Sequence, residues 1–342
     1  MHIMKKFLFN ALVIIIMSFI PGLLLAMSPE ADTTVFVPSG KPILRVFADF
    51  TTPIGESSSK TSFEVRRAYL GYDYALDKNW SMKIVLDIGS PNDDSPYSLL
   101  KRYAYFKNAA LTYHKGNIVI NAGIIDLYNV DLPESLWGYR YVYKSFMDEY
   151  KFTPRADIGV NALWKIKPYL SVDAMVMNGE GYDQLQNDNT YKTSFGLTVR
   201  PLKWLVSRAY TEYSHKKTNE TLVSLLLGID LNKKYAAGFE YNYRFQEKFV
   251  EDHDRFGYSV YGRFAIGKKF GVFARYDWVS SGKTGNLDRP WNLAKDGSAM
   301  LFGAEYAPIS KVRLSLNYQD WYPAAANVDN RRSIFLNLEF RL

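Results

Sequence analysis

Ionisable side chains recur along this sequence at two-residue spacing, with apolar residues between them. One parity collects Arg45, Arg67, Lys83, Arg200, Arg208, Arg244, Arg263, Arg275, Arg313 and Arg341. The same parity collects Asp49, Asp73, Asp87, Asp157, Asp173, Glu212, Asp230, Glu240, Asp277, Glu305 and Glu339. Successive side chains of a β-strand point to opposite faces, so these charges share one wet face and the apolar residues the other. Facing charges of both signs can pair with one another, or they can set up a field that acts on a passing solute.

Catalytic chemistry finds little support. There are four histidines. His2 lies in the N-terminal apolar region, His114 at a tight turn, and His215 and His253 near longer loops. Ser214-His215 lacks an evident third partner, and no HExxH, GxSxG, phosphate-binding glycine loop or CxxC motif occurs. Without cysteine there is no disulfide framework and no thiolate metal site. Asn92-Asp93-Asp94 has the donors for calcium, but such runs are more often solvated loop. No enzyme, metal or cofactor is implied. The formal charge of +7 is carried by dispersed basic residues, so nucleic acid is not an expected partner.

The elements that must position these charges are short amphipathic strands. The alternation predicts them at 42–51, 62–76, 79–89, 102–114, 117–126, 155–164, 168–177, 191–200, 204–214, 220–231, 234–246, 255–267, 269–280, 297–307, 311–320 and 332–342. The last segment is typical, with Ile334, Leu336, Leu338, Phe340 and Leu342 alternating with Phe335, Asn337, Glu339 and Arg341. Connections alternate in length. Asp77-Lys78, Lys115-Gly116, Asn232-Lys233 and Gly267-Lys268 are tight turns. By contrast 52–61, 90–101, 127–154, 178–190, 247–254, 281–296 and 321–331 are long and polar; 215–219 is the short exception.

Long loops on one rim and short turns on the other mark an all-β fold, a transmembrane antiparallel up-and-down β-barrel of about sixteen strands. Aromatics fall where two membrane interfaces would lie. Trp80, Trp164, Tyr169, Trp204, Tyr235, Phe270 and Tyr306 sit beside the short turns, and Tyr213, Trp278 and Trp321 near the long loops. Lys5-Lys6 followed by an apolar run to Ala26 reads as a signal peptide, residues 1–26. Residues 27–41 then form a periplasmic segment, and 42–342 the barrel in the outer membrane of a Gram-negative cell.

Several stretches resemble the phosphate-selective porin O and P family. They are Phe63-Glu64-Val65-Arg66-Arg67-Ala68-Tyr69-Leu70-Gly71, Trp80-Ser81-Met82-Lys83 to Asp87, and Ala109-Ala110-Leu111-Thr112-Tyr113. Arg155-Ala156-Asp157-Ile158-Gly159-Val160 and Asn178-Gly179-Glu180-Gly181 with Asp188-Asn189 complete the set, over about residues 62–200. The resemblance implies a porin, a homotrimer, and phosphate capture by stacked basic residues. The near-equal charge lists imply instead a mixed lumen of ion pairs with a transverse field. Diffusion of small hydrophilic solutes or ions is therefore the expected function, with an anion-specific channel and a plugged adhesion barrel as alternatives.

The segment 127–154 is long and too aromatic to be disordered, with Trp137, Tyr139, Tyr141, Tyr143, Phe146 and Tyr150. By the resemblance it folds inward as the third loop, with Arg140 and Lys144 on a cationic side of the constriction and Asp131 and Glu134 on an acidic side; a loop lying over the rim or at a subunit contact is the alternative. Outer-membrane lipid and the barrel-assembly machinery are the remaining expected partners, although Leu342 replaces the usual terminal aromatic.

Overall fold

Alternating side chains need a sheet whose two faces meet different solvents, and the chain builds one. The computed structural model describes residues 36–55, 61–89, 103–285 and 289–342. The expected signal peptide 1–26, residues 27–35 of the following segment and the Asn92-Asp93-Asp94 cluster lie outside the described residues. Sixteen strands are found among the described residues: Ser39–Pro53 (β1), Ser62–Ala75 (β2), Trp80–Gly89 (β3), Tyr103–Lys115 (β4), Ile118–Asp126 (β5), Ala156–Lys167 (β6), Leu170–Met177 (β7) and Lys192–Leu202 (β8), then Leu205–His215 (β9), Asn219–Leu231 (β10), Tyr235–Phe245 (β11), Arg255–Ile266 (β12), Phe270–Ser281 (β13), Gly297–Ile309 (β14), Val312–Pro323 (β15) and Arg331–Arg341 (β16). Each pairs antiparallel with the next, and β16 closes on β1 with Arg45 opposite Arg341. Closure leaves no unpaired strand edge. β1 begins at Ser39, ahead of residue 42, so the end of the 27–41 segment is strand.

The parity holds. On β10 and β11, Leu225, Leu227 and Phe239 are exposed, while Leu226, Glu240 and Asn242 are buried. On β16, Ile334, Leu336 and Phe340 are exposed, while Asn337 and Glu339 are buried. A band of exposed apolar residues outside buried polar ones is the inverse of a soluble protein, and it suits a wall facing lipid. All seven aromatics expected beside the short turns, from Trp80 to Tyr306, are exposed. One expectation is corrected. Trp321 is not part of an outer girdle; its ring packs on Tyr150 at 6.0 Å and lines an inner cavity. It shares the parity of Ser315 and Asn317, which are buried on the inner face, so the alternation of β15 itself turns it inward.

The turns follow local chemistry. Asn232 and Lys233 both adopt positive φ, 57° and 59°, and the N–H of Lys234 donates to the carbonyl of Leu231 at 3.0 Å. That is the primed turn whose twist matches a hairpin.

Two β-bulges redirect charged side chains of the wall. Phe47 pairs with Arg67 but Ala48 pairs with Val65, so Arg66 is an extra residue. Val85 pairs with Asn108 but Leu86 pairs with Phe106, so Lys107 is extra. A bulge resets the parity and turns two neighbouring side chains to the same face.

Candidate functional site

The segment between β5 and β6 builds the interior. It contains two helices, Tyr128–Trp137 (α1) and Phe146–Glu149 (α2). Gly138 ends α1 at φ 74°, and its N–H donates to the carbonyl of Glu134 at 2.8 Å. A left-handed cap of this kind favours glycine, and it turns the chain sharply after the helix.

The segment lies inside the barrel. Trp137, Tyr139, Phe146, Met147 and Phe152 are buried. Trp137 meets Tyr261 of β12 and Phe273 of β13, each with ring centroids 5.7 Å apart, and its indole N–H donates to the Tyr143 carbonyl at 2.9 Å. Leu136 packs where Gly228 of β10 leaves room; a Cβ there would lie 2.3 Å from it. Wall side chains also grip loop carbonyls. Arg263 donates to Leu136 at 3.0 Å, Arg275 to Lys144 at 2.7 Å, and Arg313 to Gly138 at 3.0 Å. Arg255 donates to the carbonyls of Tyr150 and Lys151. One apolar cluster joins Phe47, Tyr69 and Val85 of β1–β3, through Leu136, Trp137, Tyr139, Tyr141 and Val142, to Val206, Leu226, Tyr261, Phe273 and Leu301 of the opposite wall.

The four loop charges singled out from the sequence divide into a paired group and Lys144, which makes no direct ion pair among the described residues. Arg140 is buried and donates to Glu134 at 2.8 Å, Asp148 at 2.6 Å and the Tyr69 hydroxyl at 3.1 Å. Arg155 reaches Asp131 at 2.5 Å and Glu134 at 3.5 Å. Arg140 and Glu134 are therefore not on opposite sides of a gap; the fold-back of the segment brings them into contact. Lys144 borders a cavity instead. Burial pushes the Asp148 carboxyl up, but Arg140 and Lys144 outweigh it and hold it at about 2. Burial pushes the Glu149 carboxyl above the usual range, only partly offset by Lys144.

The wall of β1–β5 faces the segment. Arg45 pairs with Glu339, Arg66 with Asp49 at 2.6 Å, and Arg67 with Asp87 at 3.2 Å. Lys83 and Lys107 share Asp126 at 3.2 and 2.5 Å. Elsewhere on the wall, Arg208 donates twice to Asp173, at 2.6 and 2.9 Å, and Arg275 pairs with Asp277 at 2.7 Å. Arg244 pairs with Glu220 at 2.7 Å, Arg263 with Asp230 at 3.7 Å, and Arg313 with Glu305 at 2.6 Å. Glu240 is buried, with Arg275, Asp277 and Tyr261 as its neighbours. Asp157 accepts the backbone N–H groups of Ile158, Gly179 and Gly181, drawing in the segment after β7. From that segment Tyr182 reaches over to donate to Asp87 at 2.9 Å.

Among the described residues, cavities of about 1070 and about 790 Å³ lie on the long-loop side. The second is bounded by Arg67 and Tyr105 of the wall and by Lys144, Asp148 and Arg155 of the inserted segment and its exit.

A lumen with a closed wall, a greasy exterior and a charged interior is channel architecture, and the family comparison agrees. A family model described as "Putative beta-barrel porin-2, OmpL-like" matches residues 145–339, more than half of the chain. The chain belongs to this family. It is an outer-membrane β-barrel porin of the Gram-negative kind, a channel and not an enzyme. No curated protein matches the sequence. Among solved structures, this porin is similar to OmpT of Vibrio cholerae expressed in the outer membrane (TM-score 0.64, 13% identity, covering 90% of this chain and 99% of that one). It is also similar to OmpF of Salmonella typhi in complex with daunomycin (0.68, 9%, 90% and 100%) and to an anion-selective porin from Comamonas acidovorans (0.64, 9%, 90% and 100%). At these identities the likeness establishes the fold.

Sequence reasoning missed several interior residues of this porin. Arg66 and Lys107 fall on the wrong parity for a regular strand and face inward only because of the bulges. The adjacent polar pairs Arg66-Arg67 and Lys107-Asn108, each interrupting the alternation, were the available signal. Asp126, Arg155, Lys192 and Arg255 lie at strand ends, where periodicity gives no direction.

Proposed function

We propose that the porin passes small hydrophilic solutes by diffusion through a slot between the 127–154 segment and the β1–β5 wall. The observation that carries this reading is the cavity bounded by both, with Arg67 on one side and Lys144, Asp148 and Arg155 on the other. The Arg140–Tyr69 bond is a direct link from segment to wall, and it marks the narrowing. No chemical step is involved. Passage follows from water in the slot, and selectivity from its width and lining charges.

The slot has a modest preference for anions. Arg66 and Lys107 are added to its wall by bulges, while the first bulge also turns Glu64, opposite Asp49, to the inner face, leaving a net gain of one positive charge. A phosphate-specific channel is the finer reading suggested by the Arg66-Arg67 strand. It calls for arginines free to bind the anion, whereas Arg66 and Arg67 each hold a carboxylate. Reversal potential in a potassium chloride gradient tests the preference. A weak anion selectivity that shifts toward cations in Arg66→Gln with Lys107→Gln supports it; cation selectivity in the unaltered porin contradicts it. Conductance that saturates at low phosphate would favour the phosphate channel.

OmpT of Vibrio cholerae, folded in vitro, has a trimer form. A trimer is the assembly proposed here too, with residues 1–26 removed on export and the long loops outside the cell. Light scattering in detergent gives the subunit number.

A further inference from the structure

We propose that the cavity over the inserted segment is a binding site for sugar acids, taking a hexuronate carboxylate on Lys144 and Lys151. The inference deepens the porin reading and rests on it for how the solute is delivered. The cavity, about 790 Å³, is within the size of small-molecule sites, about 300–1,000 Å³. Most cations of this barrel are committed to carboxylates. Lys144 and Lys151 are different: among the described residues neither makes a direct ion pair, although the field of Lys144 reaches Asp148 and Glu149, and both line this cavity. Two ammonium groups without a contacting carboxylate, both lining one space, attract a further carboxylate, and a charge-assisted hydrogen bond there is stronger than a neutral one.

Lys151 is held in a strained backbone conformation by its surroundings. Its φ is 55°, a left-handed conformation that residues with a side chain rarely adopt. Arg255 maintains it, donating to the carbonyls of both Tyr150 and Lys151, while its guanidinium lies 4.5 Å from the Phe152 ring centroid. Strain of this kind persists when the surroundings enforce it, and it clusters at binding sites.

The rest of the lining suits a hydroxylated ring. Tyr105 and Tyr182, with centroids 5.8 Å apart, offer ring faces to the C–H side of a pyranose. Asp183 and Gln184 offer acceptors and a donor for its hydroxyls. A benzoate would use the lysines and the rings but leave those polar groups unpaired, which is the usual basis for rejecting a ligand that lacks hydroxyls. A neutral hexose would use the rings and polar groups but not the lysines.

The test is a ligand-observed NMR titration of the full mature porin in detergent, with D-galacturonate, D-galactose and benzoate as probes. Galacturonate is expected to bind at least about tenfold tighter than either of the others, the loss expected for one charge-assisted contact. Lys144→Gln with Lys151→Gln should bring galacturonate down to the level of galactose and leave galactose unchanged, which also shows that the site is folded. Benzoate or galactose binding as tightly as galacturonate overturns the proposal, as does a double variant that binds galacturonate normally. Potassium chloride conductance is recorded on the same preparation. A porin that conducts but does not bind galacturonate refutes this site alone; one that binds it without conducting refutes the diffusion reading alone.

Discussion

Replacing Arg140 by methionine should loosen the inserted segment and turn the pore toward cations. The magnitude comes from the contacts. The Arg140 side chain is 3% exposed, and its partners Glu134 and Asp148 are 12% and 16% exposed. Glu134 keeps Arg155 at 3.5 Å, but Asp148 loses its ion-pair partner. Hydrogen bonds to charged groups contribute about 1.5–3 kcal/mol, and removing one partner of a buried pair costs about 3–5 kcal/mol. The loss of the Tyr69 contact falls within that range. A change of about 3–5 kcal/mol shifts the balance between a docked and a released segment by roughly two to four orders of magnitude. Single-channel recording in planar bilayers reads this directly. The variant should show frequent visits to a higher conductance, and its reversal potential should move toward cations because one positive charge is gone and the Asp148 carboxylate is uncovered. Arg140→Lys, which keeps one ionic contact, should lie between the variant and the parent. A folded Arg140→Met barrel with the parent's conductance, noise and reversal potential would refute the argument.

Other outcomes are open to measurement. Leu336→Arg places a charge on the outer face of β16, where the cost is about 2–4 kcal/mol near the bilayer midplane, so membrane assembly should fail; Asn337→Ser, on the inner face, should assemble, and equal assembly of both would reverse the parity. The Asp148 carboxyl is depressed to about 2, so its support for the segment is complete above the ordinary carboxylate range and is lost as pH falls through about 2. Glu149 is raised by burial, so protonating it removes a cost. Conductance should therefore stay level from about pH 7 to about pH 4 and rise only near pH 2; a rise already complete at about pH 4 contradicts the assignment. Cysteine at position 283 should react with an impermeant label on intact cells and cysteine at position 78 should not, with the opposite pattern inverting the orientation.

Much of this porin could be read from its residues, for a physical reason. A barrel wall has a period of two and two solvents, so Leu336 against Asn337 reports its own orientation. Tight turns likewise announce themselves through Asn232-Lys233 and Gly267. The inserted segment was legible as an element because Trp137, Tyr139 and Phe146 in one long connection need burial. Its pairings were not. Whether Arg140 faces Glu134 or opposes it depends on how the chain folds back after Gly138, a tertiary matter without periodicity. Trp321 was misplaced for a different reason: its nearness to a long loop suggested a girdle, although its parity with Arg313 and Asn317 already pointed inward. Arg66 and Lys107 were lost because each bulge inverts the parity locally, and the inversion is encoded in which residue the neighbouring strand skips.

The central claim is that the 127–154 segment occupies the lumen and sets the pore. Deleting residues 135–150 removes Trp137, Arg140 and the whole of α2 while sparing the strands. Single-channel conductance of the folded deletion variant should rise well above that of the parent, because the narrowest section controls the resistance. Unchanged conductance in a correctly assembled barrel would contradict the claim.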